Sequence, residues 1–123
     1  EARDITVKTL NDKGKETKRL KRISKLEICF VILRNITAER GEKSVYIRIN
    51  DPNGGVMTVS DKDVFTFEEN EIAFSAKKNI AYSGENTPVC MYYDTDSELA
   101  KGTYTIGIFA DGNLIGSTGF VLK

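Results

Sequence analysis

Apolar residues along this chain recur at every second position, the spacing of side chains that share one face of a β-strand. Asp4–Leu10 (DITVKTL) alternates, with Ile5 and Val7 two apart. Lys43–Asn50 (KSVYIRIN) places Val45, Ile47 and Ile49 on one face and Tyr46 and Arg48 on the other. Thr87–Asp94 (TPVCMYYD) reads as a further strand, with Pro88 near its start, where a missing N–H is tolerated. Val64–Phe67 and Ile72–Ala76 read as short strands flanking an acidic turn at Glu68–Glu71. Val56–Val59 is a candidate short strand, and Lys77–Gly84 is ambiguous. Lys25–Asn35 (KLEICFVILRN) is almost continuously apolar and rich in β-branched and aromatic residues, which predicts a central strand buried on both faces.

Between these runs lie turn signals. Asn11–Lys15 (NDKGK) carries Gly14, Ala38–Lys43 (AERGEK) carries Gly41, and Asp51–Gly55 (DPNGG) combines four turn-forming residue types. Thr103–Ala110 and Asn113–Leu122 flank Asp111-Gly112, and Asp-Gly between two alternating runs marks a two-residue hairpin. Heptads, a helical stripe and internal repeats are all absent from the sequence. The pattern predicts an all-β chain of about seven to nine strands, folded as one antiparallel two-sheet β-sandwich over residues 1–123.

Composition agrees with a folded domain. The 123 residues are 40% hydrophobic and 29% charged, enough for one modest core. No apolar run approaches the roughly 20 residues of a membrane helix. The chain opens on Glu1 rather than Met, so it is expected to be processed or cut from a longer protein, of which it forms the C-terminal part.

Charge changes the picture more. The net charge is zero, yet residues 1–50 carry thirteen Lys/Arg against seven Asp/Glu, and residues 51–123 carry five against eleven. The excess concentrates in Lys13, Lys15, Lys18, Arg19, Lys21, Arg22 and Lys25, with Glu16 the lone acid among them. Clustered cations attract phosphate backbones or anionic lipid heads. The stretch holds no aromatic for base stacking, and Leu20 and Ile23 could tuck into the core and leave the charges on a solvated loop, which is the expected reading.

The segment Leu99–Gly112 (LAKGTYTIGIFADG) reads Leu, two residues, Gly, one residue, Tyr, alternating apolar residues, then Asp-Gly. It resembles the end of many bacterial immunoglobulin-like and fibronectin-like domains. Lys43–Gly54 (KSVYIRINDPNG) is similar to a strand and turn of the same domains. The resemblance covers about residues 25–123 and is to domains at the end of Bacteroides-type envelope or coiled-coil proteins. It implies that Tyr104 opens the penultimate strand and anchors the preceding loop, as in a tyrosine corner, and it implies a setting in the cell envelope. The chain departs from antibody domains in having no Trp and no Tyr-x-Cys on that strand, so an intersheet disulfide is not implied.

Zero His removes the commonest general base. Cys29 and Cys90 lie in apolar runs, where a thiol behaves as a small hydrophobe. They are expected to be free, with a disulfide open if the chain is exported. Asp61/Asp63 and Glu68/Glu69/Glu71 are carboxylate groups in turns, read as solvated. Asp94, Asp96 and Glu98 alternate through one loop, a spacing suited to Ca²⁺, but without the glycine and distal glutamate of an EF-hand loop a plain acidic loop is expected. Asn35-Ile36-Thr37 matches a glycosylation acceptor, which carries no meaning in a bacterial protein. Gly116, Ser117 and Gly119 on the last strand, Leu114–Leu122, leave room for another backbone, from a partner or from the sandwich itself.

No catalytic residue and no cofactor is expected. The function expected is a non-catalytic protein-interaction or spacer domain that contacts another protein or other domains of its parent. The first alternative is an anion-binding module that uses the basic stretch on nucleic acid or a membrane surface. The second is a carbohydrate-binding module with Tyr46, Tyr82, Tyr92 and Tyr93 as its platform.

Overall fold

The computed structural model describes residues 1–34 and 40–123. The acceptor motif at Asn35-Ile36-Thr37 and part of the Ala38–Lys43 turn lie outside the described residues. The chain is all-β, with nine strands among the described residues: β1 (Ala2–Leu10), β2 (Lys25–Ile32), β3 (Gly41–Asn50), β4 (Val64–Phe67), β5 (Asn70–Ala73), β6 (Ala76–Tyr82), β7 (Thr87–Asp94), β8 (Gly102–Ala110) and β9 (Asn113–Leu122). A single 3₁₀ turn, Leu20–Arg22, interrupts the β1–β2 connection.

All pairings are antiparallel. One sheet runs β1-β2-β7, a second runs β6-β3-β8-β9, and β4 and β5 form a two-stranded third. Alternation decides which face each strand buries. On β2, Leu26, Ile28, Phe30 and Ile32 are buried and the residues between them are half-buried. On β3, Val45, Ile47 and Ile49 are fully buried, and on β8 Tyr104, Ile106 and Ile108 join them. These residues of the two larger sheets form one apolar cluster.

Four differences from the sequence reading have physical reasons. β2 is central, as expected, but its second face is not core: continuous apolarity there reflects a half-covered outer face. Cys29 stands on that face directly opposite Cys90 of β7, the two Cα atoms are 4.1 Å apart, and the sulfurs are bonded. This overturns the expectation of free thiols, and the bond lies within one sheet. Val56–Val59 forms no strand and makes only an isolated bridge from Val56 to Asn50. Lys77–Gly84 is resolved as strand β6, whose exposed Lys77, Lys78 and Asn79 hide its period until Ile80 and Tyr82 turn inward.

The β4–β5 hairpin lies over the outer face of β3 and β8. Tyr46 stacks on Phe65 at 4.3 Å between centroids, Phe109 meets Phe65 and Phe67 edge-on, and Arg48 Nε donates to the Ala73 carbonyl at 2.9 Å. Its turn is Glu68-Glu69, with φ of 49° and 69°, a left-handed pair more often given to Asn-Gly. Between β5 and β6, buried Ser75 replaces ladder bonds: its hydroxyl accepts from Ile49 N and donates to Met57 O, while its own N–H donates to Ile47 O.

Candidate binding surfaces

The ends of the strands form two poles. The expected Asp-Gly hairpin is at one of them, with φ of 52° and 74° at Asp111 and Gly112. Here Lys43 Nζ pairs with Asp111 Oδ2 at 2.6 Å, and its side chain is only 12% exposed. The ammonium also lies 5.4 Å from the centroid of the Tyr82 ring. A cleft of about 340 Å³ adjoins this pair, walled by Ile32, Leu33, Leu114 and Ile115. The sequence reading did not single out Lys43, because one lysine in an alternating strand carries no signal.

At the opposite pole Tyr104 is 1% exposed and its hydroxyl donates to the Ala100 carbonyl at 2.7 Å. The anchoring expected of this residue is present. Gly102 supports it: its φ is +134°, and a Cβ there would meet Pro52 at 2.8 Å. Burial pushes the Tyr104 phenol above its ordinary range, and the Asp51 carboxylate adds to this against the opposing hydrogen bond to Ala100. Tyr93 is raised as well, by burial first and then by Asp96. Asp51 holds the neighbouring turn by accepting from the N–H groups of Asn53 and Gly55.

The three candidate calcium ligands do not converge. Asp94 ends β7 and faces Lys25 at 3.7 Å. Asp96 and Glu98 line a hollow beside Tyr93 and Tyr104. Among the described residues there is no group of three or more His, Cys, Asp or Glu able to hold a metal ion. Asp61, Glu68, Glu69 and Glu71 are exposed, and Asp63 is half-buried.

The basic stretch is divided by the fold. Ile23 is buried and Leu20 packs against the core, as expected of a loop that keeps its charges in solvent. Lys13 and Lys15 stand on the exposed Asn11–Lys15 turn, and Lys25 faces Asp94 and lies 5.5 Å from the Tyr92 ring centroid. Lys18, Arg19, Lys21 and Arg22 instead line a hollow of about 740 Å³ together with Lys101, Lys123 and Glu98. No sequence signal marks Lys101 and Lys123, which join the cluster from the β7–β8 connection and from beyond β9.

The four tyrosines share no face. Tyr82 and Tyr93 are buried, Tyr46 lies beneath the β4–β5 hairpin, and Tyr92 is 48% exposed. The Tyr92 hydroxyl donates to Glu27 Oε2 at 3.0 Å, which raises its pKa.

The last strand, β9, is an edge of its sheet. Gly116 does admit a backbone, that of β1: a Cβ there would lie 3.0 Å from the Ala2 Cβ. At Gly119 the nearest neighbour of such an atom is the Tyr104 carbonyl of β8, at 3.4 Å. Leu114 and Val121 are more than half exposed.

No helix among the described residues is long and apolar enough to cross a membrane. A comparison with curated proteins finds no match. The model of a family described as a domain of unknown function, DUF8428, matches residues 3–123, nearly the whole of the two larger sheets and the hairpin laid over them, and the chain belongs to that family.

Proposed function

We propose that this chain is a non-catalytic protein-interaction module of a larger protein, built as an immunoglobulin-like two-sheet β-sandwich. Three features support the architecture: the strand orders β1-β2-β7 and β6-β3-β8-β9, the shared apolar cluster between those sheets, and the Tyr104–Ala100 hydrogen bond. The Cys29–Cys90 disulfide supports an oxidising compartment outside the cytoplasm, which agrees with the envelope setting that the resemblance to bacterial domains implies.

The edge strand β9 carries the functional reading. Unpaired strand edges recruit other strands unless they are blocked. Of the four edges of the two larger sheets, β1 is blocked by a bulge at Asp4 with its φ of 55° and by Arg3. β6 carries Lys77 and Lys78, and β7 carries Pro88. The ten residues of β9 (NLIGSTGFVL) include no charge and no proline. β1 lies against β9 at Gly116, so a partner strand is added over Ser117–Leu122, where it gains main-chain hydrogen bonds with Val121 beside it for selectivity.

The test is a pull-down with the isolated domain and with a Ser117→Lys/Gly119→Lys variant, washed at high salt. A protein held by the first and lost by the second supports the edge. A partner held equally by both removes β9 as the contact.

A further inference from the structure

The second inference rests on the opposite kind of surface and does not depend on β9. Lys18, Arg19, Lys21, Arg22, Lys101 and Lys123 surround one hollow, and among the described residues that line it Glu98 is the single carboxylate. All six cations are exposed. Among the described residues none of the six forms an ion pair, whereas Lys25 and Lys43 each have a carboxylate partner. Three separate segments converge there: the β1–β2 connection, the β7–β8 connection and the residue after β9. Uncompensated like charges brought together repel one another and attract a polyanion.

We propose that this hollow binds an acidic polysaccharide, one that carries sulfate and carboxylate groups along its chain. Five observations choose that class. The surface is an open hollow of about 740 Å³, with room for a few linked sugars. No aromatic lines it, so it offers no platform for the bases of a single-stranded nucleic acid. Leu20 is the one apolar side chain among the residues that line it and is half-buried against the core, which leaves little apolar surface to enter a lipid layer. Glu98 adds an acceptor for a sugar hydroxyl within an otherwise cationic wall. The Cys29–Cys90 disulfide fits a compartment in which surface polysaccharides are met.

The experiment measures binding of a heparin octasaccharide, which bears both sulfate and carboxylate, across a range of salt concentrations. Three proteins are compared: the wild type, a Lys18→Ser/Arg19→Ser/Lys101→Ser/Lys123→Ser variant, and a Lys8→Ser/Lys13→Ser/Lys15→Ser/Lys62→Ser variant with the same change in charge. All eight positions are exposed, so folding is preserved and is checked by circular dichroism. The first variant is expected to lose roughly tenfold to a hundredfold in affinity, and the second less than about threefold. The salt dependence of the first falls as well, because fewer counterions are exchanged. Equal losses in the two variants overturn the site. A thymidine oligonucleotide or an anionic vesicle held as tightly as the octasaccharide at the same salt overturns the assignment to a polysaccharide.

Discussion

The two poles of the molecule treat cations in opposite ways. At the hairpin pole a single lysine, Lys43, is almost buried and is matched by Asp111 at 2.6 Å. At the other pole six cations stand in solvent, and among the described residues no carboxylate is paired to any of them. The difference follows from water. A charge taken out of water is costly unless a partner replaces the lost hydration, so Lys43 is retained only with its ion pair. An exposed charge costs little to leave unpaired, so the second cluster is free to wait for a ligand from outside.

This comparison is broken most severely where a buried polar group has no water to fall back on. Ser75→Ala orphans both the Ile49 N–H and the Met57 carbonyl and is expected to cost about 1–3 kcal/mol in a urea titration. A cost near zero would mean that water reaches this site. Next comes the ion pair itself. Asp111→Asn keeps a residue tolerant of positive φ but strands Lys43, at an expected cost of about 1 kcal/mol, reduced because Asp111 is half exposed. Lys43→Met leaves only that half-exposed carboxylate and is expected to cost less than about 0.5 kcal/mol. The reverse order would show that the lysine is not the group that needs its partner.

Tyr104→Phe is expected to cost about 1 kcal/mol near neutral pH, from the lost bond to Ala100. The folded phenol titrates above its ordinary 10.0. Its share of stability is therefore complete below pH 10 and is lost as pH rises through the folded value. The gap between wild type and Tyr104→Phe should narrow in alkaline titrations, and a constant gap would contradict this. The smallest effect is at the cationic pole. The Lys18/Arg19/Lys101/Lys123 serine variant is expected to change stability by less than about 0.5 kcal/mol, and in the stabilising direction at low salt as repulsion is relieved.

Much of the fold was legible because its signals are local. The alternation in Lys43–Asn50 gave both the strand and its buried face, and Asp111-Gly112 gave the hairpin by the positive φ that both positions adopt. The anchoring of Tyr104 was expected from the resemblance of the Leu-x-x-Gly-x-Tyr run to bacterial immunoglobulin-like domains, and all the parts of that run lie within one turn and one strand. Lys77–Gly84 was illegible because an edge strand carries its charge on its outer positions. Val56–Val59 misled because three apolar residues in four, Val56, Met57 and Val59, set no period and do not specify a pairing partner. Cys29 was misread because an apolar run does not reveal which of its two faces is covered.

The candidate site divides in the same way. Four of its six cations lie in one stretch of sequence, but that stretch does not distinguish them from Lys13, Lys15 and Lys25. Period-two apolarity and turn chemistry determined an all-β chain by themselves, because strand faces and tight turns depend on residues a few positions apart. Only the tertiary structure decided that Cys29 meets Cys90, that Lys43 is largely covered and paired with Asp111, and that Lys101 and Lys123 join the basic loop. The first depends on the register in which β2 pairs with β7, and the other two on which strand ends share a pole; both are set by strands distant in sequence.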